Sequence, residues 1–137
     1  MKILFDNCTS PILASTLNGF ISAHDHVAIH IRDAPCGRNA TDEQWIAMLG
    51  AEQIQRWIVV TGDGRLSRNK PERIAFRSAG LFGFVLAPAY QKTPLHQVAS
   101  FLLWRWPEME QLVGLVGGAA LYELPMNRTG KLKQIPL

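Results

Sequence analysis

Short apolar runs alternate with amphipathic stretches through residue 90 of the chain. The run KILFD (2–6) is apolar at Ile3, Leu4 and Phe5 and is stopped by Asp6-Asn7, which predicts a buried strand. In TSPILASTLNGF (9–20), Thr and Ser come first, Pro11 stands where a first helical turn tolerates it, and Asn-Gly ends the stretch. That is a capped helix with an ordinary stop. HVAIHI (26–31) predicts a second strand, and RDAPCGRNA (32–40) a loop. From 41 to 55, Thr41 is placed as an N-cap with Asp42 and Glu43 in the first turn, and Trp45, Ile46, Leu49 and Ile54 recur at helical spacing. RWIVVTG (56–62) is apolar and β-branched, the pattern of a central strand.

KPERIAFRSAG (70–80) predicts a helix with Pro71 in its first turn and Gly80 at its end, and LFGFVLAP (81–88) a fourth strand. TPLHQVASFLLWRW (93–106) predicts a helix stopped near Pro107, with EMEQLVGLVG a short further helix weakened by its glycines. AALYELP and GKLKQI flank MNRTG, which predicts a terminal hairpin turning at Asn127-Arg128-Thr129-Gly130. No repeat, low-complexity tract or linker breaks the sequence, so one domain over 1–137 is expected. Strands alternating with helices imply an α/β fold: three α/β/α layers, a central mostly parallel sheet and a C-terminal β-hairpin.

In such a sheet, ligands sit at the carboxyl ends of the strands. Three acids fall at that edge. Asp6 ends the first strand, Asp63 follows the third, and Asp42 opens the helix that leads into the third. Clustered carboxylates repel one another, and at least one pKa rises unless a counter-charge is present. A hard divalent cation with all-oxygen ligands, Mg²⁺ or Mn²⁺, resolves the conflict and suits phosphodiester chemistry. Arg65, Arg68 and Lys70 follow Asp63 and are candidates to hold flanking phosphates. Each acid also has a plainer reading. Asp63 in TGDG suits a turn, Asp42 a helix dipole, and Asp6-Asn7 a βα turn.

Charge and composition narrow the partners little. The 137 residues carry a net charge of +3, which permits a polyanion without requiring one. No apolar stretch approaches the ~20 residues that span a bilayer, and no signal peptide is visible, so a cytoplasmic protein is expected. Cys8 and Cys36 are read as free thiols of a reducing compartment, with a disulfide left open. His24, His26, His30 and Cys36 match no zinc spacing, and alternation in a strand would put the three histidines on one face. Trp104 and Trp106 suit either base stacking or a helix end packed on the sheet. Cys8 has no paired His for nucleophilic work. TGDGRLSRNK lacks the order of a phosphate-binding P-loop.

ILFDN at the start, ATDEQWIAML in the middle and IVVTGDGRL after it carry a likeness, with 21 residues between Asp42 and Asp63. SRNKPERIAFRSAGLFGFVL extends it. Over roughly residues 1–90 the chain resembles the PIN-domain nucleases, especially the short group related to VapC toxins. The resemblance implies a Mg²⁺- or Mn²⁺-dependent endoribonuclease, the toxin half of a toxin–antitoxin pair. RNA would be its substrate and a cognate antitoxin its partner, with a homodimer left open. It implies Asp6, Asp42 and Asp63 as metal ligands, with Asn7 and Thr61 supporting them through hydrogen bonds. Typical members carry another Glu in a helical insertion before the acid-bearing helix. Here that interval holds only Asp25 and Asp33, and Glu43 points about a quarter-turn from Asp42. The alternative is a catalytically incomplete PIN-like module that binds RNA or protein.

Overall fold

The computed structural model describes residues 1–37, 39–52 and 56–137. Arg38 of the expected 32–40 loop and residues 53–55, including Ile54 of the expected helix stripe, lie outside the described residues. The elements are β1 (Lys2–Phe5), α1 (Pro11–Ile21), β2 (Val27–His30), α2 (Asp42–Ala51), β3 (Trp57–Thr61), α3 (Arg65–Arg68), α4 (Lys70–Ser78), β4 (Phe82–Leu86), α5 (Leu95–Leu115), β5 (Ala120–Leu124) and β6 (Lys133–Ile135). All six strands join one sheet in the order β2-β1-β3-β4-β5-β6. Every pairing is parallel except β5 with β6.

Burial on both faces explains why the inner strands read as unbroken apolar runs. Ile3, Phe5, Ile58 and Val60 face α1 and α5, where Leu17, Leu102, Trp106 and Met109 complete one core. Leu4 and Val59 face the other way, against Trp45, Ile46 and Leu49 of α2 and Phe76 of α4. The helices begin where their caps sit. Ser10 accepts from Ile12 N–H at the start of α1. Thr41 and Gln44 form a reciprocal capping box at the start of α2. Asn69 closes α3 and its side chain then accepts from Glu72 N–H to open α4.

Two expectations need correction. Pro107 does not stop a helix; it lies inside the continuous α5. The buried residues Val98, Leu102, Trp106, Met109 and Val113 run at steps of four or three straight across it. A proline in a helix interior costs about 3 kcal/mol, and burying a large apolar side chain returns roughly 1.5–3 kcal/mol. Several such residues on one stripe carry the helix through. The second correction concerns the histidines, which do not share a strand face. β2 begins only at Val27, so His24 lies exposed in a short 3-10 turn (Ser22–His24). His26 bridges the Met1 amine at 2.9 Å and Glu110 at 3.0 Å. His30 is buried, its Nε2 2.9 Å from the Thr9 carbonyl.

The terminal hairpin is present, with Tyr122 opposite Gln134. Its loop is tied down by Arg105, which is 1 % exposed. Arg105 Nη1 donates to the Asn127 carbonyl at 2.9 Å, Nη2 donates to that of Gly130, and Glu108 pairs with Nη2 at 3.1 Å. Trp106 is buried in the core. Trp104 is exposed, with the Arg128 guanidinium 4.8 Å above its ring. Among the described residues no helix is long and apolar enough to cross a membrane.

Arg105→Ala leaves two loop carbonyls without their donor and a void in the core, and is expected to destabilise the fold by roughly 2–5 kcal/mol. Trp104→Ala should shift it by less than about 1 kcal/mol. Urea denaturation measures both, and equal losses would remove the clamp role from Arg105.

Candidate acidic site at the carboxyl edge

Phe5 of β1 is level with Val60 of β3, so Asp6, just past the end of β1, comes beside Thr61, the last residue of β3. Asp6 is 9 % exposed. One carboxylate oxygen accepts from Cys8 N–H at 3.1 Å and the other from the Thr61 hydroxyl. Burial pushes its pKa up to about 6, and the nearby Asp63 charge adds to the rise. Hydrogen bonds from Thr61, Cys8 and Gly62 work in the other direction.

The turn after β3 is pressed against the turn after β1. A Cβ on Gly62 would stand 2.8 Å from the Cys8 carbonyl oxygen, which is why glycine is found there. The Thr61 oxygen also accepts from Asp63 N–H at 3.0 Å, so one hydroxyl ties both acids' turns together. Asp63 accepts from Arg65 N–H at 2.9 Å and from Arg65 Nε. Partial burial opposes ionisation of Asp63, but the two Arg65 hydrogen bonds and the guanidinium charge prevail and hold its pKa below the usual range. The Asp63 turn thereby opens α3, an element the sequence pattern does not predict. The Cys8 thiol lies 3.7 Å from Asp63, and desolvation with the two neighbouring acids pushes its pKa up to about 11. Both cysteines are free.

Asp42 is the first residue of α2, and its carboxylate accepts from the Trp45 indole N–H at 2.9 Å. Beside it stands Glu72, from the first turn of α4. Desolvation, a hydrogen bond with Asp42 and the Asp42 charge push Glu72 up to about 7, while Arg65 pulls it down. Asp6, Asp42, Glu43, Asp63 and Glu72 line a single cavity of about 650 Å³, together with Asn7 and Arg65.

The structure therefore brings Asp6, Asp42, Asp63, Asn7, Thr61 and Arg65 to one place. Arg68 lines a neighbouring cavity of about 320 Å³ instead, and Lys70 is exposed at the start of α4. Glu72 escaped sequence reading because a fourth acid is sought ahead of Asp42, whereas it comes from beyond Asp63. Its signal was the spacing Asn69-x-x-Glu72, which also reads as an ordinary helix cap. The donors are all oxygen, which fits Mg²⁺ or Mn²⁺. Among the described residues, no three His, Cys, Asp or Glu side chains stand as a ready-made cage for an ion. Arg65 and the Trp45 indole occupy oxygens of Asp63 and Asp42.

Residues 1–88, running from β1 through the end of β4, match the family described as PIN-like domain. The chain belongs to that family. No curated protein and no solved structure matches it. The PIN-like match makes this a nuclease-type module, and it contains all five acids that line the cavity. The segment holding α5, β5 and β6 lies beyond the matched residues.

Asp6 and Glu72 both have raised pKa values in the fold, from 3.8 to about 6 and from 4.5 to about 7. Their contribution to stability is thus full below their unfolded pKa values and is lost as pH rises through the folded ones. In chelator, the melting temperature should carry a component that falls between about pH 4 and pH 7. Asp6→Asn should flatten that slope and stabilise the protein near pH 8, by up to about 3 kcal/mol. Thermal melts across pH in EDTA test this; an unchanged slope in the variant would reject the assignment.

Proposed function

We propose that the protein is a metal-dependent endoribonuclease acting in the cytoplasm as the toxin component of a toxin–antitoxin pair. The observation that carries this is five carboxylates from four separate segments lining one cavity at the strand ends of a PIN-like domain. Asp6, Asp42 and Asp63 would hold Mg²⁺ or Mn²⁺, with Glu72 beside them. When bound, such an ion supplies a Lewis acid for a phosphoryl oxygen and a water of lowered pKa. The protein's own part is positioning. Thr61 fixes the Asp6 carboxylate and the Asp63 turn at once, which limits where an incoming phosphate sits. Arg65 stands at the same cavity with an exposed side chain, suited to meet a phosphate oxygen. Glu72, its pKa pushed up to about 7, stands beside Asp42 at the same cavity and is placed to exchange a proton there.

A second reading has its own support. Arg65 already neutralises Asp63, and no ready-made cage stands among the described residues. A PIN-like module that binds RNA or protein without cutting would look like this. Under either reading a partner is part of the proposal: an antitoxin or a second copy. The outer edges of β2 and β6 are its natural docking places, because the ends of the sheet leave backbone groups for pairing.

Purified protein incubated with single-stranded RNA and Mg²⁺ or Mn²⁺ is expected to cut it, and EDTA to stop it. Asp6→Asn and Asp63→Asn should each reduce cleavage by at least about 100-fold, and Thr61→Val by roughly 10- to 100-fold. Cleavage that survives chelation, or both Asn variants cutting at the parental rate, would sink the nuclease reading. RNA retained without cleavage, and unaffected by EDTA, would establish the second.

A further inference from the structure

Three cavities meet around the paired turns at Cys8 and Gly62–Asp63. The acidic one shares Cys8 with a small cavity of about 150 Å³ and Asp63 with the one that holds Arg68. The latter two share Gly62, Leu86 and Gln91. The small cavity has an apolar floor of Leu13, Leu86, Tyr90 and Val98, all buried. Its rim is polar, with Ser10 and Gln91 beside Cys8. Gln91 Nε2 donates to the Gly62 carbonyl at 3.1 Å, which fixes the side chain and leaves its amide oxygen as an acceptor.

A cavity of this volume with an apolar lining holds one six-membered aromatic ring. Apolar walls with a few fixed polar groups at one side suit a flat ring whose faces are apolar and whose edge carries donors and acceptors. We infer that the small cavity is a subsite for one unpaired pyrimidine base of the strand whose phosphate enters the acidic cavity. This rests on the nuclease reading for its substrate and adds what that reading lacks, a contact to a base. Continuity fixes the occupant. A base seated here leaves its sugar–phosphate at the Cys8 ridge, with the acids on one side and the Arg68 cavity on the other. A base within a duplex is stacked and paired, so only a single strand or an extruded nucleotide can fill the subsite.

The test uses the full chain without metal and the four ribonucleoside 5′-monophosphates as probes, followed by methyl NMR. Saturable shifts are expected at Leu13, Leu86, Leu95 and Val98 at millimolar concentrations of the two pyrimidine nucleotides, and smaller ones with the bicyclic purine nucleotides. Ribose 5-phosphate should leave those methyls unmoved. Ala87→Phe, which puts a ring of the protein's own into the cavity, should weaken nucleotide binding at least tenfold. Absent shifts at these methyls in the parental protein, or equal shifts with ribose 5-phosphate, would overturn the subsite. RNA cleavage is scored separately. Cleavage without methyl shifts refutes the subsite and leaves the nuclease reading standing. Methyl shifts without cleavage keep the subsite and remove the nuclease reading.

Discussion

The hydroxyl of Thr61, given to the carboxylate of Asp6, is the interaction on which the site is organised. It exists because β1 and β3 are parallel neighbours with Phe5 opposite Val60, so the residue after β1 comes level with the last residue of β3. A buried acid with no donors would be expelled or kept protonated. Here two donors hold it in place while burial keeps its pKa raised, to about 6. Gly62 allows the second turn to close over the first, and the same hydroxyl carries the turn that bears Asp63.

The remaining acids are held by different means. Asp63 has the Arg65 guanidinium, Asp42 accepts from the Trp45 indole, and desolvation keeps the pKa of Glu72 raised. The acids are thus held by a neighbouring cation, an indole donor and burial. The Arg65 pair is open to solvent, its side chain 65 % exposed, so it is held only weakly and is the easiest of the three to exchange.

Much of this was legible in the sequence where burial acts on both sides of an element. KILFD, RWIVVTG and LFGFVLAP are apolar because both sheet faces are covered, and their shortness sets them apart from buried helices. The caps Ser10, Thr41 and Asn69 mark helix starts by local chemistry, although only Thr41 was assigned to its residue from sequence. The edge location of Asp6, Asp42 and Asp63 follows from topology alone. What stayed hidden is tertiary. Pro107 looks like a stop until the stripe from Val98 to Val113 is seen buried along the sheet. The histidines look like a face until β2 proves shorter than its apolar pattern. Glu72 reads as a capping residue, and only the approach of α4 to α2 places it beside Asp42.

The segment beyond residue 88 has a consequence for the stretch that carries the family likeness. β5 lies parallel along the outer edge of β4, from Phe82 opposite Ala120 to Leu86 opposite Leu124. The stacked rings of Phe82 and Tyr122 seal that seam. A fragment that keeps every acid but ends at β4 would bare a fully apolar strand with unpaired amides and carbonyls. Such an edge recruits strands from other molecules, so the fragment would be drawn toward aggregation. The C-terminal third thus serves the chemistry indirectly, by keeping the sheet that carries the acids closed to its own kind.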